Sequence, residues 1–133
     1  MDNKLKHLEF IQGAINRMSG NSFLLKGWSV TLGAALFALA AKDANFKFVA
    51  IAYYPILVFW LLDGYFLYQE RLFRALYDKV RNMHESEIDF SMNTGEFKKG
   101  RNTWAASAFS TTLLLFYGTV LVVMLFVTRY LIR

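Results

Sequence analysis

Apolar side chains dominate three runs of the chain, at positions 23–41, 48–62 and 102–128, with polar or charged stretches between them. At 1.5 Å per residue the first and third can each cross the roughly 30 Å hydrocarbon core of a bilayer. The second run passes straight into a charged segment. Across 54–83 the only proline, Pro55, stands near the start, and the lone Gly64 costs about 1 kcal/mol, which its neighbours outweigh. The pattern therefore predicts one rod that leaves the membrane as an amphipathic helix. Leu72, Phe73, Leu76, Tyr77, Val80 and Met83 recur at three- and four-residue spacing, with Arg71, Arg74, Asp78 and Arg81 off that stripe. Upstream, Leu5, Leu8, Ile11, Ile15 and Met18 mark an amphipathic helix of about four turns that could cover it. Ser19-Gly20-Asn21-Ser22 reads as a stop followed by a new N-cap.

The expected architecture is an all-α membrane protein in a single domain with three transmembrane helices, a hairpin plus one. Its parts are an amphipathic cytoplasmic helix at 1–20, a first span at 22–42, a second span with a cytoplasmic extension at 46–83, a cytoplasmic loop at 84–101 and a third span at 102–130. The polar residues 42–47 form the hairpin turn. Gly27, Ser29, Gly33, Ala34, Ala35 and Ala38 make the first span thin, which suits close helix packing in lipid. Trp104 and Tyr130 bracket the third span as interfacial anchors.

With 133 residues, 56% hydrophobic and 17% aromatic, the composition is that of a membrane chain. Zero cysteines exclude a disulfide framework and thiolate metal sites. The net charge of +5 is informative through its distribution. Four Lys or Arg lie before or at the start of the first span and seven between spans two and three, against two in the hairpin turn and two at the C-terminus. The positive-inside rule then places the N-terminus and the long loop in the cytoplasm and Arg133 outside.

Three constellations follow. Lys26 and Asp63 stand at equal sequence distance from the turn centre, so an antiparallel hairpin brings them to one depth, where a buried carboxylate needs a partner. A structural ion pair is the expected reading. In the third span Ser107, Thr111, Leu114, Gly118 and Leu121 fall along one face. Hydroxyls there glue helices together or line water, and in an oligomer the leucines could form an apolar gate. Third, Arg71, Arg74, Arg81 and Arg17 offer guanidinium forks for phosphate, with Tyr68, Phe73 or Tyr77 for base stacking. Anionic headgroups and salt bridges to Glu70 and Asp78 account for them equally well.

Catalytic signatures are thin. His7 and His84 lack a second ligand at metal spacing and read as surface residues, and no phosphate loop or nucleophile elbow occurs. No catalytic residue, metal or cofactor is expected, and the chain does not read as an enzyme.

The segments Asn16-Arg17-Met18, Asn21-Ser22-Phe23-Leu24-Leu25-Lys26-Gly27-Trp28-Ser29-Val30-Thr31-Leu32, Phe59-Trp60-Leu61-Leu62-Asp63-Gly64-Tyr65-Phe66-Leu67 and Glu70-Arg71-Leu72-Phe73-Arg74 resemble small bacterial membrane effectors of nucleotide-signalled anti-phage defence. The nearest type is the membrane subunit of Hailong. The resemblance covers about the first two thirds of the chain and supplies no ligand-binding set. It implies a homo-oligomeric ion channel of the bacterial inner (cytoplasmic) membrane, a tetramer being one arrangement, controlled by a nucleic-acid oligomer or signalling nucleotide that a partner nucleotidyltransferase makes. The hydroxyl strip, thin first span and missing catalytic groups fit a channel that depolarises the host membrane. The alternative is a structural or adaptor membrane protein that recruits a cytoplasmic partner through the Leu5 and Leu72 stripes.

Overall fold

The computed structural model describes residues 2–43 and 46–132. Among them no strand occurs. Four α-helices follow one another: α1 (Asp2–Asp43), α2 (Phe46–Arg81), α3 (Trp104–Ala108) and α4 (Thr111–Ile132). Short 3-10 turns at Glu85–Glu87 and Gly95–Phe97 punctuate the loop between α2 and α3. Three helices, α1, α2 and α4, are long and apolar enough to cross a membrane. The centre of the expected turn at 42–47, Ala44 and Asn45, lies outside the described residues, as does Arg133.

The expected stop at 19–22 does not occur, because α1 runs unbroken through Ser19, Gly20, Asn21 and Ser22. A single helical Gly costs about 1 kcal/mol, and α1 lies along α2 as the main interface of the molecule. Ser22 is also unavailable as a cap, since its hydroxyl is bonded to Asp63. Pro55, in the second turn after the first of α2, leaves that helix continuous.

Two apolar clusters hold the helices together. Toward the hairpin turn, Ala52 and Ile56 of α2 pack with Leu113, Tyr117 and Met124 of α4. At the opposite end of the hairpin, Ile11 and Ile15 of α1 meet Leu76 and Val80 of α2, and Ile88 and Phe97 of the loop close over them. The emergent stripe is thus covered by the chain's own N-terminal segment. The buried face is rotated from the expected one: His7, Ile11, Ala14 and Ile15 are buried, whereas Leu5 is exposed.

His7 is a correction to the expected surface residue. It is fully buried, its Nε2 lies 2.9 Å from the Ser91 carbonyl oxygen, and its ring centroid is 5.5 Å from that of Phe90. The loop folds back over α1 to do this, and Phe90 takes a left-handed φ of 56° at the contact. Backbone N–H groups of Asn3 and Lys4 donate to the Glu85 carboxylate, fastening the same loop to the first turn of α1.

The third apolar run is also not one helix. The chain breaks at Phe109 and Ser110, so the membrane-length helix starts at Thr111. Thr103 caps α3 by accepting from Ala106 N–H, and Ser110 Oγ accepts from Leu113 N–H at the start of α4. Gly64 explains where α3 sits. A Cβ there would stand 2.9 Å from the Ala108 Cβ and 3.0 Å from its Cα, so only glycine lets the two backbones cross this closely.

Candidate functional site

A polar network joins the three membrane-length helices. Lys26 Nζ on α1 lies 2.6 Å from Asp63 Oδ2 on α2, with Asp63 completely buried and the lysine side chain 20% exposed. Ser22, one turn before Lys26, accepts from the ammonium at 2.8 Å and donates to Asp63 Oδ1. The Tyr117 hydroxyl of α4 donates to Asp63 Oδ2 at 2.9 Å. Both carboxylate oxygens are therefore occupied, which is the condition under which a buried charge is tolerated.

Aromatic rings enclose the network. Trp60 stacks on Tyr117 at 5.7 Å with an interplanar angle of 4°, and the Lys26 ammonium stands 5.8 Å from the Phe116 ring centroid. The arrangement is a closed clamp with no vacant ligand position. Sequence reasoning paired Lys26 with Asp63 but missed Ser22 and Tyr117. The spacing of four between Ser22 and Lys26 could have flagged the first, whereas nothing in the sequence fixes the register of α4.

The sequence-derived strip is divided. Ser107 is buried on α3, bonded to the Arg71 side, while Thr111 and Leu114 are exposed on α4 and Gly118 and Leu121 are partly covered. The helix instead buries Leu113, Tyr117 and Met124 against the hairpin. Leu115, Val122 and Phe126 are exposed on a further face.

The arginines fall into two places. Arg71 Nη1 donates to the Arg101 carbonyl at 2.8 Å and reaches Ser107 Oγ at 3.5 Å, toward α3. Burial lowers the Arg71 pKa from its ordinary value, the neighbouring Arg101 charge lowers it further, and Glu70 opposes both. Arg17 lines a groove of about 860 Å³ with Phe10, Gln12, Asn16, Tyr77 and Met92, and with Glu9, whose carboxylate is 3.7 Å from Lys6. Arg74 and Arg81 lie three residues before and four after Tyr77, so helical geometry puts them on the same side of α2 as that groove wall. Each has a carboxylate neighbour: Arg74 Nε is 3.4 Å from Glu70, which is half-buried, and Arg81 Nη2 is 3.5 Å from the exposed Asp78. The second pair is exposed on both sides, and such pairs are worth roughly 0–1 kcal/mol and yield readily to a stronger anion.

On the His7 side of α2, Lys79 is 2.6 Å from Glu96, whose hydrogen bond and charge raise the lysine pKa above its ordinary value. Among the described residues no cluster of His, Asp and Glu is suited to a metal ion. No protein-family model, curated protein or solved structure matches the chain.

Proposed function

We propose that this chain is the subunit of a homo-oligomeric membrane channel whose state is set by a phosphate-bearing nucleotide or oligonucleotide bound at its water-facing end. The observation that carries the reading is the uncovered face of α4, with Thr111 and Leu114 exposed beside Gly118 and Leu121. In one copy the outward Leu114 can face lipid and Leu121 packs partly on the hairpin, but the exposed Thr111 hydroxyl has no polar surface to meet. Several copies around an axis give it one, as a polar mouth above an apolar constriction that gates by dewetting. The ligand would sit in the groove of Arg17, Gln12 and Asn16, with guanidinium contacts from Arg74 and Arg81 and stacking on Tyr77. Arg71, from the same sequence-derived set, would brace the layer through Arg101.

In this reading the helix clamp at Asp63 makes α1, α2 and α4 move as one body, so a ligand event at the groove reaches the pore face. The biological role is depolarisation of the host membrane in anti-phage defence, as the sequence resemblance implies, with the ligand made by a partner nucleotidyltransferase. Voltage-sensitive dye in bacteria expressing the chain tests it. Depolarisation should depend on the state of the partner enzyme and respond to Arg17→Ala with Arg74→Ala. Normal membrane potential in every partner state overturns the channel, and a monomer in detergent would favour the adaptor reading.

A further inference from the structure

Between α2 and α3 lies an open cleft of about 700 Å³ lined by Leu57, Trp60, Leu61, Trp104, Ala105 and Phe109. Its size falls in the roughly 300–1,000 Å³ range of small-molecule sites. The two indole N–H groups are already spent. Trp60 Nε1 donates to the Ala108 carbonyl at 2.7 Å and Trp104 Nε1 to the Leu61 carbonyl at 3.0 Å. The walls therefore offer ring faces and aliphatic carbons, and only hydrocarbon satisfies them.

The water-facing end of the same helix face has the opposite chemistry. Leu57, Gly64 and Arg71 recur every seven residues on α2, which puts the arginine in line with the cleft. Its guanidinium bonds the Arg101 carbonyl and reaches Ser107, next to Ala108 at the cleft's back wall. Arg101 adds a second cation beside it, and Lys98 and Lys99 are exposed just before. Neither Arg71 nor Arg101 is in an ion pair among the described residues, since Glu70 pairs with Arg74 and Glu96 with Lys79. Glu70, whose charge also reaches Arg71, is bonded to Arg74, so Arg71, Arg74 and Arg101 share one carboxylate and the excess positive charge calls for an anion.

We propose that the α2–α3 cleft is a binding site for an anionic phospholipid, with an acyl chain against Trp60 and Trp104 and the headgroup phosphate on Arg71 and Arg101. The helices need only lie in a bilayer for this, whether or not the chain forms a channel. Its occupant is a lipid because the cleft opens from a membrane-length helix and is apolar along the wall and cationic at one end.

Tryptophan quenching by brominated lipid tests it. With the exposed Trp28 changed to Phe, the remaining indoles, Trp60 and Trp104, both line the cleft. In neutral bilayers, brominated phosphatidylglycerol should quench saturably, at about tenfold lower mole fraction than brominated phosphatidylcholine. Unbrominated phosphatidylglycerol should relieve that quenching. Arg101→Gln, on an exposed side chain, should weaken the preference, and Arg71→Gln with Arg101→Gln should remove it. Ala105→Phe, filling the cleft from its open wall, should abolish the saturable phase with the arginines intact. Helical circular dichroism identifies any variant that fails to fold. Equal quenching by both headgroups in the unsubstituted protein overturns the proposal. So does quenching by neither, the result if a second copy fills the cleft.

Discussion

At the scale of single residues the molecule turns on Asp63. Its carboxylate accepts from Lys26, Ser22 and Tyr117 on two other helices, so removing it strands a partly buried ammonium and frees two hydroxyls at once. Asp63→Ala should cost about 3–5 kcal/mol, the range for breaking a buried pair from one side. Lys26→Met with Asp63→Leu should cost distinctly less, because no charge is left behind. Thermal unfolding in detergent checks the order, and equal losses in single and double variants would contradict it. Tyr117→Phe keeps the ring stack on Trp60 and deletes one charge-assisted bond, for an expected loss of about 1.5–3 kcal/mol. Lys26 and Asp63 were legible because hairpin symmetry matches their depth. Tyr117 was not, since its place depends on how α4 slides against the hairpin. His7 was misread for a similar reason: its burial is made by a loop without periodicity, through a carbonyl at Ser91 that any residue type could have supplied.

Among elements, two glycines that look alike in the sequence have opposite roles. Gly20 lies mid-helix in α1 with no atom near the position of a Cβ. Gly20→Ala should therefore stabilise by about 0.5–1 kcal/mol through helix propensity alone. Gly64→Ala would drive a methyl into the backbone of α3 and should destabilise by roughly 1–3 kcal/mol, as overpacking does. Paired melting curves of the two variants separate these outcomes by sign. The three long apolar helices were legible from run length and composition. The continuity of α1 was not, because local stop signals were read without the neighbouring helix that overrides them. The break at Phe109 was hidden inside an uncharged run, where the Ser110 cap looks like one more hydroxyl of the strip and the Gly64 crossing that seats α3 is out of sight.

For the whole molecule, the charge count predicts that a reporter active only in the cytoplasm stays silent when fused after Arg133. A strong signal there would demand an even number of crossings, or three in the opposite orientation with the Arg17 groove on the other side of the membrane. Of the four arginines that the sequence grouped, Arg17 lines the groove beside Tyr77, Arg74 and Arg81 pair with Glu70 and Asp78, and Arg71 turns to Arg101 and Ser107, a division that linear spacing of three and seven does not reveal. Mechanically, the uninterrupted α1 has a further consequence. Its 42 residues make a rod of about 63 Å, roughly twice the hydrocarbon thickness. Such a rod is a strut and not a hinge: a push on its arm near Arg17 cannot be absorbed at Gly20 and passes through the clamp of Lys26 and Asp63 into the arm beyond, taking α2 and α4 with it.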